Sequence, residues 1–223
     1  MKIFSVRRGF TPDHSSTSYE FYAVDKPLEK VQRQAVAKLS SRANPTQRKV
    51  SFIYHGDWND LPGGWEPLLK KYYDVMYSES YDFWTIAFGF YADQDTIEEI
   101  KKYGFSGEDD FGIQVETKND RVVLSIHCRM KSDTAYEYFE DHRYRSDDED
   151  EEDSEEEHSD DRFMNLLIRN RELIREGDFR LLYGVWEKYG DQSEGKSDVS
   201  QKYLERGKMS KFTKELLDLL DND

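Results

Sequence analysis

Apolar and polar positions change period several times along the chain, and each change marks an element. "KIFSVRR" (2–8) and "STSYEFYAV" (16–24) are short runs rich in aromatic and β-branched residues and read as strands. "PLEKVQRQAVAKLSS" (27–41) has helical spacing: Pro27 suits a first turn, and Leu28, Val31, Ala35 and Leu39 form one apolar stripe. "RKVSFIYH" (48–55) predicts a third strand. In "DLPGGW" (60–65) Pro62 fixes φ, and Gly63 supplies the positive φ of a type II turn. "WEPLLKKYYDVMYS" (65–78) reads as a helix with Pro67 near its start. "DFWTIAFGF" (82–90) is apolar on both alternating faces, which places it centrally in a sheet. "DQDTIEEIKKYG" (93–104) is a helix ending at Gly104, and "FGIQVETKNDRVVLSIHC" (111–128) a hairpin turning near Asn119-Asp120.

Beyond the hairpin the pattern becomes helical. "DRFMNLLIRNRELIREGDFRLLYGVWEKYG" (161–190) reads as two helices, with Gly177 closing the first and Asp178 capping the second. Phe163, Leu166, Leu167, Leu173 and Ile174 share one face; Leu182, Val185, Trp186 and Tyr189 supply the other. "SKFTKELLDLLDND" (210–223) is a short last helix. Strands and helices mix without strict βαβ alternation, so the expected class is α+β: a mixed sheet with packed helices, an acidic linker and a helical C-terminal segment. The boundaries follow as 1–145, 146–161 and 162–223.

Charge divides the chain in the same places. Of the net −15, residues 146–161 ("SDDEDEEDSEEEHSDD") hold 12 Asp/Glu and no Lys/Arg, so −3 remains without them. Such a run buries no apolar surface and repels itself, which predicts a solvated tether. Residues 1–50 are basic, with 10 Lys/Arg against 4 Asp/Glu. Aromatics at 14% exclude a disordered composition. No apolar run approaches the roughly 20 residues of a membrane span. Cys128 is the single cysteine, which excludes an internal disulfide framework. "MKIFSVRRGF" lacks the apolar stretch and cleavage site of a signal peptide. A soluble, cytoplasmic protein without membrane partners is expected.

Two segments carry candidate chemistry. In "RRGFTPDHSSTSYEF" (7–21), Asp13, His14 and Ser15 are adjacent and so cannot form a catalytic triad. A turn held by local hydroxyl bonds is one reading. The other is an anion pocket in which Arg7, Arg8, Ser15 and Ser16 receive a phosphate and His14 moves a proton. In "SSRANPTQRKVSFIYHGDW" (40–58), Arg42, Arg48 and Lys49 extend that basic set. His55 and Asp57 stand two apart, as one side of a metal or acid–base site or as solvent-facing strand-end residues. No C-x-x-C, H-x-x-x-H, H-E-x-x-H, Walker A or dinucleotide fingerprint occurs, so neither a metal nor a cofactor is expected. "DDFG" (109–112) shares letters with a kinase element without its phosphate loop.

The segments "FSVRRGFTPDHSSTSYEFYAVDKPL", "LSSRANPTQRKVSFIYH", "DLPGGW" and "YYDVMYSESYDFWTIAF" together resemble an uncharacterised family of bacterial and archaeal proteins, over about the first 130 residues. "LIREGDFRLLYGVWEKYG" is similar to a helical segment found near SWIM-type zinc-finger modules. The cysteines and histidine of that module are missing, so its zinc and DNA roles do not carry over. Three functional expectations result. The first is a non-enzymatic adaptor that docks a protein partner through Phe179, Leu182 and Trp186. The second is a nucleic-acid or phosphate-ligand binder using the basic N-terminal segment. The third is a hydrolase using His14, His55 and Asp57.

Overall fold

The computed structural model describes residues 16–55, 61–80, 83–107, 110–131, 161–190 and 208–221. The strands are β1 (Ser16–Tyr22), β2 (Lys49–His55), β3 (Val75–Ser80), β4 (Phe83–Tyr91), β5 (Phe105–Ser106), β6 (Gly112–Lys118), β7 (Arg121–Met130) and β8 (Leu220–Asp221). They lie in the order β2-β1-β3-β4-β7-β6-β5, with β8 added to the end of β7. Every ladder among the described residues is antiparallel, which corrects the expected mixed sheet while the α+β class stands. β4 and β7 pair from Trp84↔Cys128 to Tyr91↔Arg121 at the centre, as the two-sided apolar pattern of residues 82–90 requires.

Alternation along these strands sends side chains to two faces. Ile86, Phe88, Phe90, Val122, Leu124 and Ile126 share the first face. Phe21, Phe52, Met76, Ala87 and Val123 share the second. The second face is covered by α1 (Lys30–Ala37) and α2 (Glu66–Lys71), through Val36, Leu68 and Leu69. The first is covered by α3 (Gln94–Lys101), α4 (Arg162–Arg175), α5 (Arg180–Tyr189) and α6 (Lys211–Leu219). Phe163 of α4 meets Tyr77 edge-on at 5.0 Å, and Phe179 meets Tyr103 at 5.9 Å. The C-terminal helices therefore bury their apolar stripe on this chain's own sheet. Asp161, the last residue of the acidic run, is the N-cap of α4. Its Oδ1 accepts the amides of Phe163 (3.0 Å) and Met164 (3.2 Å), and its Oδ2 accepts the Tyr77 hydroxyl at 2.7 Å.

Two local expectations are corrected. Helix 65–78 stops at Lys71, because Val75 and Tyr77 go to one face and Met76 to the other, a period of two that makes a central strand. In α1, Val31 is 73% exposed and Ala35 is exposed, whereas Val36 is buried. A capping box between Glu29 and Gln32 starts the helix after Leu28, so the stripe counted from Leu28 has the wrong phase. The hairpin turn at Asn119 and the type II turn stand as expected: Gly63 has φ +82° and the Gly64 amide reaches Leu61 O at 2.9 Å. The strand expected at 2–8 lies outside the described residues. No described helix is long and apolar enough to cross a membrane.

Candidate functional site

The sheet has two polar ends. At the first, Asp74 links α2 to β3. Its Oδ2 accepts the amides of Val24 (2.8 Å) and Asp25 (2.9 Å), and its Oδ1 accepts Arg121 Nη2 at 2.9 Å. The same Nη2 donates to the carbonyls of Leu69 and Tyr73, both at 2.8 Å, and Nε donates to Leu69 O at 3.3 Å. The guanidinium thereby satisfies carbonyls at the C-terminal end of α2, where a cation is favoured. Arg171 arrives from α4, fully buried. It donates from Nε to Gly89 O (2.9 Å), from Nη2 to Asp25 Oδ2 (2.7 Å) and from Nη1 to Glu172. Gly89 is required at this crossing: a Cβ there would lie 2.8 Å from Arg121 Nη2 and 3.2 Å from Leu69 O.

Arg121 has a second surface. Its Nη1 carries no hydrogen bond among the described residues, and Arg121 is one of the residues lining an open cleft of about 330 Å³ between the end of α2 and the β6–β7 turn. Leu68 and Leu69 are buried, which turns Lys70 and Lys71 toward this cleft. Lys118 and Asn119 reach it from the hairpin, where Asn119 holds a positive φ of 54°. Lys70 pairs with Glu116; the ammonium groups of Lys71 and Lys118 have no partner among the described residues. Tyr91, 66% exposed, lies with its ring 5.0 Å from the Arg121 guanidinium carbon. The arrangement is a fixed cation, three lysines and an aromatic plane in one recess.

At the opposite end the hydrogen-bond partners of the central side chain are neutral hydroxyls. His127 sits on the same face of β7 as Arg121, six residues on, with Nδ1 3.2 Å from Thr85 Oγ1 and Nε2 3.2 Å from Ser125 Oγ. Burial holds its pKa below the usual 6.5, against the opposing pull of Glu66 and Asp110. The neutral imidazole donates through one nitrogen and accepts through the other, so both hydroxyl contacts suit it. Thr17 and Ser80 share a hydroxyl bond at 2.9 Å at the same end. Cys128, next along β7, is buried in the first-face core, and its thiol is pushed up to about 12. Among the described residues no group of three or more His, Cys, Asp or Glu is placed to hold a metal ion.

Comparison with family models, with curated proteins and with solved structures yields no match. The geometry of the chain itself carries the functional reading.

The residues singled out in the sequence fall in several places. Arg7, Arg8, His14, Ser15 and Asp57 lie outside the described residues. Ser16 and His55 are register partners, at the end of the β1–β2 ladder opposite Tyr22 and Lys49. Arg48 and Lys49 are at the other end of that ladder, roughly 20 Å away for a seven-residue strand. They are not part of one basic cluster with Ser16. Arg48 Nη1 is spent on the carbonyls of Ala23 and Val24, both at 2.8 Å, and Lys49 faces buried Glu20 at 3.6 Å. Arg42 is exposed. Phe179 and Leu182, expected at a partner interface, are buried in the chain's own core; Trp186 is half-buried and stacks on Tyr183 at 6.0 Å. Sequence reasoning missed the cleft. Its signal was the pair of cations, Lys118 and Arg121, flanking the predicted hairpin turn.

Proposed function

We propose that this chain is a binding protein for a phosphate-bearing anion, held in the cleft between α2 and the β6–β7 turn. The supporting observation is the buried Arg121, a residue that lines the cleft, whose Nη2 and Nε are fixed by Asp74 and two carbonyls while Nη1 is left without a hydrogen bond among the described residues. A donor held this way loses little freedom on binding. Lys71 and Lys118 add two exposed positive charges, suited to an anion with several negative oxygens. The chain's net charge of −15 opposes long-range capture of an anion, so the attraction is short-range and weakens with salt.

The test is calorimetric titration of the full chain with inorganic tripolyphosphate at low salt. Binding is expected, and Lys71→Glu with Lys118→Glu should weaken it at least about tenfold, on the scale of two charge-assisted contacts. The melting temperature of that variant should stay put. Absence of binding by the unaltered chain, or equal binding by the double variant, would overturn the proposal.

A further inference from the structure

Phosphate alone does not account for what lines the cleft. Alongside the cations stand the Asp120 carboxylate, the Asn119 side chain and the Tyr91 ring. A carboxylate repels a bare phosphate and attracts a ligand that also carries hydrogen-bond donors, such as sugar hydroxyls or an exocyclic amine. The side chains of Asn119 and Asp120 make no hydrogen bond or ion pair among the described residues, so both are available to such donors.

Tyr91 supplies the third recognition element. One side of its ring is engaged by the Arg121 guanidinium at 5.0 Å, and the residue is nonetheless 66% exposed. Arg121 is itself anchored by Asp74 and the end of α2, so the ring rests on a fixed support. A tyrosine supported from beneath and open above is a stacking platform for a planar heterocycle.

Resting on the phosphate-binding reading above, we infer that the ligand is a nucleotide unit. Its base stacks on Tyr91, its phosphate oxygens meet Arg121 Nη1, Lys71 and Lys118, and its donor groups face Asn119 and Asp120. The unit can belong to a free nucleotide or to a single strand, since both present the same base, sugar and phosphate.

Three probes separate the cases: inorganic tripolyphosphate, ATP and a single-stranded hexa-adenylate, each titrated into the full chain at one salt concentration. ATP or the hexa-adenylate should bind about tenfold more tightly than tripolyphosphate, the scale of one base–aromatic stack. Tyr91→Ala and Tyr91→Leu should both abolish that advantage, so that ATP and the hexa-adenylate bind each variant no more tightly than tripolyphosphate binds it. Tighter binding of the hexa-adenylate identifies a strand; tighter binding of ATP identifies a free nucleotide. If all three bind equally and neither Tyr91 variant matters, the nucleotide inference fails while the phosphate reading stands. If none binds, both fail. Thermal melts of the two Tyr91 variants separate lost stacking from lost folding.

Discussion

Arg121 and His127 lie on one face of one strand, six residues apart, and they solve the same problem in opposite ways. Each is a nitrogen-rich side chain at an end of the sheet. Around Arg121 the partners are charged: Asp74 takes its Nη2, and Arg171, Asp25 and Glu172 extend the pairing. Around His127 they are hydroxyls, from Thr85 and Ser125. A charged network stabilises only while every member is present, because a lone buried charge has no water to turn to. A hydroxyl network tolerates more, since its members are neutral, and burial favours the neutral imidazole over the charged one. The charged end also has a donor to spare, at Nη1, whereas both ring nitrogens of His127 are occupied. That difference favours the Arg121 end for the proposed anion.

The sharpest way to break the comparison is Asp74→Ala. It strips the carboxylate from between Arg121 and Arg171 and orphans the amides of Val24 and Asp25. Removing one partner of a buried pair costs ~3–5 kcal/mol, which urea denaturation should register. Loss comparable to that of an exposed substitution would show that the network carries no structural weight. Next in size is Gly89→Ala, where the new methyl contacts Arg121 Nη2 and two backbone carbonyls. Overpacking of this kind costs ~1–3 kcal/mol, and the guanidinium must shift, so tripolyphosphate affinity should fall with stability.

His127 gives a smaller effect with a defined pH sign. Its folded pKa is below 6.5, so the unfolded chain takes up the proton first as pH falls. The stability due to its neutral form is full above the unfolded pKa and is lost as pH falls through the folded one. Denaturation of wild type and His127→Gln from pH 8 to pH 5 should give curves that run parallel above roughly 6.5 and converge or cross below it. Parallel curves throughout would remove His127 from the acid response. Smallest of all is Lys71→Ala: an exposed lysine with no partner among the described residues should change stability by no more than about 0.5 kcal/mol. A larger change would move Lys71 from the ligand site into the structural network.

Much of this fold was legible in the sequence where the period was long and unmixed. The central strand at 82–90, the Asn119 hairpin, the Pro62-Gly63 turn and the two helices broken at Gly177 all follow from local pattern and turn chemistry. Legibility failed at 65–78, where a helix hands over to a strand without a breaker and both periods fit a few residues. It failed again for Arg171. A helix written "LIRNRELIR" offers three arginines, Arg169, Arg171 and Arg175, and nothing local says that the middle one is the buried one. Its partners, Gly89 and Asp25, come from distant positions, and only the packing of α4 on the sheet selects it. The cleft was hidden for the same reason, since Lys70 and Lys71 meet Lys118 and Arg121 only after β7 is placed beside β4.

Arg171 reaches back 82 residues to Gly89 and 146 to Asp25, and this sets the order of events at the ribosome. All strands of the main sheet are synthesised before α4 and α5. At 5–20 residues per second, the stretch from Met130 to Tyr189 takes about 3–12 s to make. Throughout that interval the face carrying Ile86, Phe88, Leu124 and Ile126 waits for its C-terminal cover. Exposed apolar surface of that kind is prone to aggregate, and the 12 acidic residues of 146–161, which emerge just ahead of α4, add a charge that opposes it.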